Sequence, residues 1–222
     1  MPRRVGVHEE HGDRALSLAG RDGVVVVGME SGRCLFFDAP LSDQVPENLA
    51  VQSELALVGA VLALALGEGF GAAALGDQGL ALISTLVTTQ PLLLSINSPS
   101  AFVSSVAVSG DLLATGYGYD GFEIWRVNSD RTLTSLSFVA FGDYAGRLLL
   151  DSGRLYVSAL EKGLWIYDVL DPTSPQQLNT ILTPGGGALG ANALGGQVIL
   201  ARGRTGWVWL DLVRADQPRE LF

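Results

Sequence analysis

A glycine followed by a short alternating run recurs five times along this 222-residue chain. Gly32 opens GRCLFFD, Gly79 GLALIST, Gly121 GFEIWRV, Gly163 GLWIYDV and Gly206 GWVWLDL, at steps of 47, 42, 42 and 43 residues. Alternation with period two marks a strand with one buried face, and the glycine ahead of it supplies the positive φ that a tight turn requires. A fixed period of this length, filled with short strands, is the signature of a propeller. The clearest unit is residues 163–175, GLWIYDVLDPTSP. Leu164 and Ile166 share one face, Trp165 and Tyr167 the other, and Asp168 closes the strand before a proline-bounded turn.

Each unit reads as four strands. The third predicts strands over 102–109, 111–116, 121–127 and 132–139; the fourth over 147–151, 154–159, 163–168 and 177–182; the fifth over 188–194, 197–202, 206–211 and 218–222. The first two units are looser. Strands are expected over 15–19, 23–28 and 33–38, then a polar connection over 39–47 with an outer strand at 48–52, and next over 61–66, 71–75, 79–85 and 91–96. Residues 55–66, LALVGAVLALAL, also suit a helix on propensity, but they fall where the period places an innermost strand. The expected fold is all-β, a five-bladed β-propeller of 42-residue, four-stranded repeats forming one domain over 1–222. Its blades would span about 13–54, 55–100, 101–142, 143–186 and 187–222. Residues 2–8 have no unit of their own, and pairing them with the last blade as a clasp would close the ring. A partial ring completed by a second chain is the competing arrangement. The first strands carry small side chains (Ser17 and Ala19, Ala63 and Ala65, Ser105 and Ala107, Ala191 and Ala193), as a tight axis requires; residues 147–151 are bulkier.

The wording of residues 163–175 resembles the LVIVD-type propeller repeat, Gly-Leu-x-Ile-x-Asp-Val-x-Asp-Pro-x-x-Pro. Gly163, Leu164, Ile166, Asp168, Val169, Asp171, Pro172 and Pro175 all match. The third unit keeps Gly121, Phe122, Ile124 and Val127 with Arg126 in place of the aspartate, and the fifth keeps Gly206, Val208 and Asp211. The first keeps Gly32, Leu35 and Asp38, and the second little beyond Gly79, Leu80 and Leu82. The strand order is also similar to that of WD-repeat propellers, although two histidines cannot supply a recurring tetrad. The resemblance implies a scaffold fold and little about function. Asp38, Asp168 and Asp211 hold equivalent places, where a carboxylate is expected to accept backbone N–H bonds from the following turn.

Charge and chemistry narrow the function. With 14 basic and 23 acidic residues the net charge is −9, which argues against nucleic acid and against anionic membrane surfaces. The apolar run over 55–66 is too short to cross a bilayer as a helix, and the N-terminal MPRRVGVHEEHGD lacks the apolar core of a signal peptide. A soluble, cytoplasmic protein is expected, with no membrane insertion. The thirteen arginines against the single Lys162 fit a bacterial source. Cys34, the only cysteine, reads as an inert strand residue.

His8, His11 and Asp13 are the only close grouping of metal-ligand types. Alternation would send the two histidines to opposite faces, so no metal and no cofactor is expected. The first strands lack the paired carboxylates of a glycosidase, and both histidines lie in the clasp, away from any serine nucleophile. No enzyme is expected. The outer strand of the second unit, with Leu92, Leu93, Leu94 and Ile96, is apolar on both faces where an outer strand should alternate. Tyr117, Tyr119, Tyr144 and Trp207 add aromatic candidates of the kind that anchor interfaces. The leading expectation is a protein–protein interaction scaffold, whose partner is another protein chain or a second copy of itself. A lectin-like or small-ligand-binding propeller is the alternative, and a propeller hydrolase the third.

Overall fold

The computed structural model describes residues 12–38, 50–97, 101–140, 142–194, 196–214 and 217–221. The clasp expected over 2–8, the histidines His8 and His11, and the connection over 39–47 lie outside the described residues. Within them the regular structure is strand, apart from one 3-10 turn at Gly203–Thr205. Twenty strands form five antiparallel sheets of four, each in plain sequence order. The chain divides into two compact units, Met1–Phe102 and Val103–Phe222.

The first unit holds two sheets. One comprises β1 (Ala15–Arg21), β2 (Val24–Met29), β3 (Arg33–Asp38) and β4 (Ser53–Ala56); the other β5 (Ala63–Leu66), β6 (Phe70–Ala74), β7 (Leu80–Ser84) and β8 (Leu93–Asn97). Val26, Cys34 and Phe36 of the first sheet pack with Ala73, Ala81 and Ile83 of the second. The first strands β1 and β5 lie side by side, where the Ser17 hydroxyl donates to the Val61 carbonyl at 2.7 Å. Small side chains permit that approach. Cys34 is fully buried in this core, and burial pushes its thiol up to about 12, as suits an inert packing residue.

The second unit holds three sheets: β9 (Ser105–Ser109) to β12 (Leu133–Val139) with β10 (Leu112–Gly116) and β11 (Phe122–Val127) between; β13 (Arg147–Asp151), β14 (Arg154–Ser158), β15 (Leu164–Asp168) and β16 (Gln176–Ile181); and β17 (Gly190–Leu194), β18 (Gln197–Ala201), β19 (Trp207–Asp211) and β20 (Arg219–Glu220). Ala114, Phe122 and Ile124 meet Leu150, Leu155, Val157 and Tyr167 across one intersheet core, with Trp165 against its edge. Tyr156, Leu164 and Ile166 meet Val198, Leu200, Val208 and Leu210 across the next. Burying a large apolar side chain contributes roughly 1.5–3 kcal/mol, so these facing layers dominate the stability of the unit.

Two main-chain devices repeat with the sequence period. After the second strand of four of the five sheets a tight turn closes with the bonds Leu75 N–H to Gly79 O, Tyr117 N–H to Gly121 O, Ala159 N–H to Gly163 O and Arg202 N–H to Gly206 O, each 2.7–2.9 Å. The turn after β2 closes with Gly32 N–H to Met29 O at 3.2 Å. The outer strands carry the second device. Leu82 opposes Ser95 while Ile83 opposes Leu93, leaving Leu94 as a bulge. Leu136 and Leu178 are skipped in the same way in β12 and β16. An extra residue bends and twists a strand, so three outer strands turn at equivalent places.

Two of the three strand-end aspartates accept the expected backbone N–H from the following turn, whereas the bond shown for Asp38 comes from a side chain. Asp168 accepts from Leu170 N at 2.9 Å and Asp211 from Val213 N at 3.0 Å. Asp38 receives the Thr88 hydroxyl at 3.4 Å.

Several strands are shorter than expected, among them Ser105–Ser109 against 102–109 and Arg219–Glu220 against 218–222, and one is displaced. The first sheet's outer strand is Ser53–Ala56 and not 48–52, so Leu55 and Ala56 belong to the first blade. Long-range pairing decides it: Arg33 opposes Ala56, its guanidinium reaches Glu54 at 3.2 Å, and Leu57 N–H bonds Gly32 O at 2.9 Å. The second sheet's first strand is accordingly confined to Ala63–Leu66, and the intervening residues form no helix.

Candidate interaction surfaces

In the first unit, β8 pairs among the described residues with β7 alone. Its approach and body present Leu92 (61% exposed), Leu93 (41%), Leu94 (37%) and Ile96 (40%). The bulge at Leu94 explains why neighbouring residues emerge together: skipping one residue breaks the alternation that would otherwise turn every second side chain inward. The preceding turn adds exposed Leu86 and Val87, two residues the sequence reading missed. That turn is held to the first sheet at Thr88, whose carbonyl accepts the Ser53 hydroxyl and whose own hydroxyl reaches Asp38. The apolar side chains therefore stand on a fixed support.

In the second unit the aromatic candidates separate. Tyr119 is 73% exposed and meets the half-buried Tyr144 edge to face, centroids 5.1 Å apart at 64°. The bridge between Gly118 and Ala145 brings them together. Trp207, 58% exposed, stands at the start of β19 on a different sheet. Tyr117 does not belong with them. It is 4% exposed, its ring stacks on Phe138 at 6.2 Å, and its hydroxyl donates to Glu123 Oε2 at 2.6 Å. Burial, reinforced by the Glu123 carboxylate, pushes its phenol above the ordinary range. A side chain so enclosed offers nothing to a partner. The exposed aromatic there is Phe138, 55% accessible on β12.

Asp13 is a structural carboxylate. It accepts from Ser31 N at 3.1 Å, from the Ser31 hydroxyl and from Arg33 Nε at 3.3 Å; the Ser31 hydroxyl chiefly holds its pKa below the usual value. Both oxygens are occupied in tying the chain before β1 to the turn before β3. Among the described residues no three His, Cys, Asp or Glu side chains converge as a metal site would require, and no helix is long and apolar enough to cross a membrane.

No family model matches the chain, and no curated protein does. Solved structures do. The crystal structure of the computationally designed Ika8 protein superposes with a TM-score of 0.72 at 12% identity, covering 99% of this chain and 65% of that one. The chain thus spans less than two thirds of Ika8. The computationally designed Ika4 protein matches at 0.60 and 15% identity, over 76% of this chain and 99% of that one. A chain of the Mitotic Checkpoint Complex matches at 0.72 and 12% identity, over 97% and 68%. At such identities the likeness is one of fold, and with the five four-stranded antiparallel sheets it establishes a five-bladed β-propeller.

Proposed function

We propose that this propeller is a non-catalytic protein–protein interaction scaffold, a cytoplasmic subunit of a bacterial multiprotein complex, built from repeats of the LVIVD type. The observation that carries the reading is the outer strand β8, a sheet edge without a second partner among the described residues, bearing four exposed apolar side chains in five positions. Soluble proteins rarely leave a contiguous apolar patch on a rigid edge unless a partner covers it. The occupant fitting both features is a protein segment that pairs main chain with β8 and buries its own apolar side chains on Leu92, Leu93 and Ile96. Support for a non-catalytic role comes from the first strands, which present no paired carboxylates. The chain's net charge of −9 favours a protein partner over nucleic acid.

The test is a double substitution, Leu93→Asp with Ile96→Asp. Both side chains are exposed, so stability should change by less than about 1 kcal/mol. Loss of a partner that co-purifies with the unaltered protein, or a later elution in size-exclusion chromatography, is the expected result. Unchanged elution with all co-purifying chains retained would remove β8 from consideration.

A further inference from the structure

The edge formed by β8 is apolar along its length and acidic at both ends. Residues 34–125 hold no lysine or arginine, a stretch that includes the whole of the second sheet. The unit Met1–Phe102 carries five basic and eleven acidic residues. Its described arginines are all engaged: Arg14 with Glu30, Arg21 with Asp22, and Arg33 with Asp13 and Glu54. Asp38 and Asp77 are exposed, and among the described residues no base compensates either.

The connections place these carboxylates. Asp38 closes β3 and accepts the Thr88 hydroxyl at 3.4 Å, in the turn just ahead of Leu92, so it lies where β8 begins. Glu68 is exposed at the same end, since the carbonyl of the adjoining Gly69 accepts Thr85 N–H at 3.3 Å as β7 finishes. Asp77 lies in the turn between β6 and β7, and Leu80 just beyond it opposes Asn97 at the close of β8. Between the two ends β8, LLSIN, carries no charge. Sheet edges are commonly guarded by lysine or another charge on the strand itself. This edge has its charges only beside it, and all of one sign.

We propose that the segment docking on β8 is an extended stretch of another protein, apolar at alternate positions and cationic at both ends; this rests on the docking read for β8 and names the partner's chemistry. Main-chain pairing would lay the apolar centre on Leu92, Leu93 and Ile96, while lysine or arginine side chains reach Asp38 at one end and Asp77 at the other. Long basic side chains suit both tasks, because the stem covers apolar surface while the charged head stays in water. Charge also separates this occupant from a second copy of the chain. Two β8 strands paired antiparallel would set the Asp38 end of each beside the Asp77 end of the other, in copies that each carry a net charge of −9. Like charges brought together across an interface oppose docking.

Fluorescence anisotropy of the full chain with three labelled peptides, KKVTVTVKK, SSVTVTVSS and EEVTVTVEE, tests this. The lysine peptide should bind about tenfold tighter than the serine one, and the glutamate peptide weakest of the three. Raising salt from 0.1 to 1 M shortens the screening length from about 10 to about 3 Å and should bring the first two together. Asp38→Asn and Asp77→Asn, both at exposed positions, should each weaken the lysine peptide about twofold to fivefold and leave the serine peptide unchanged. Leu93→Asp with Ile96→Asp controls for mere attraction between opposite charges. It adds two carboxylates, yet it should abolish binding of the lysine peptide; tighter binding to this variant would overturn the proposal. Equal binding of the lysine and serine peptides, or no effect of either asparagine variant, overturns the charge preference while docking on β8 stands. Absence of any binding by the lysine peptide also overturns it, docking itself being decided separately by the co-purifying partner.

Discussion

Gly163→Ala is expected to remove about 2–5 kcal/mol of stability, a large share of the 5–15 kcal/mol typical of a folded domain. Gly163 sits at φ +87°, where a Cβ-bearing residue is strained, at a cost of about 1–2 kcal/mol. The larger part is steric. A Cβ there would lie 2.0 Å from the Ile181 carbonyl oxygen and 2.9 Å from its carbon. Both atoms are main chain of β16, paired across from Leu164, so no rotamer change relieves the contact. The end of β16 must be pushed off β15, adding an overpacking cost of about 1–3 kcal/mol. Gly206→Ala is the control. Its φ is +84°, and nothing lies within 4 Å of the added carbon, so only the conformational cost of about 1–2 kcal/mol applies. Urea titrations should show the two midpoints well apart with similar slopes. Equal losses in both variants would mean that backbone strain alone accounts for the conservation of spacing between repeats in this chain.

That contrast also shows what could be read from the sequence. The five glycine-led strands were legible because positive φ and alternation are local requirements, and Gly32, Gly79, Gly121, Gly163 and Gly206 all have positive φ. The position of β4 was not, because residues 48–56 alternate acceptably in more than one register and Arg33 with Glu54 selects among them. Tyr117 reads as a loop aromatic between glycines; its burial depends on Glu123 and Phe138, two partners on other strands. Exposure along β8 was legible as an apolar run, but its cause, the bulge at Leu94, was not. The 42-residue spacing of Leu94, Leu136 and Leu178 carried that signal.

Alkaline unfolding should set in early and steeply. Four neutral acids are buried: Cys34, Tyr117, Tyr156 and Tyr167 are each at most 5% exposed. Burial pushes all four upward, Cys34 to about 12 and the three phenols above their ordinary value. Because the folded pKa exceeds the unfolded one, each group's contribution is complete below its unfolded pKa and is lost as pH rises toward the folded value. The unfolded thiol ionises from about pH 8.5 and the unfolded phenols from about pH 10. One proton released on unfolding costs about 1.4 kcal/mol per pH unit, so Cys34 alone should remove about 3 kcal/mol by about pH 11. With the phenols joining above about pH 10, the slope should steepen beyond that of the thiol alone. Denaturant midpoints measured across this range should therefore fall gently and then sharply. Cys34→Ala is expected to lose about 1 kcal/mol near neutral pH through the cavity it leaves. Relative to its own neutral value, it should also lose the gentle segment while keeping the sharp one. Tyrosinate absorbance supplies the second readout: three of the five tyrosines, Tyr117, Tyr156 and Tyr167, should ionise at higher pH in the folded protein than in the unfolded chain. A gentle segment that survives Cys34→Ala, or five tyrosines titrating in the folded protein as they do in the unfolded chain, would contradict the burial of these groups between the sheets.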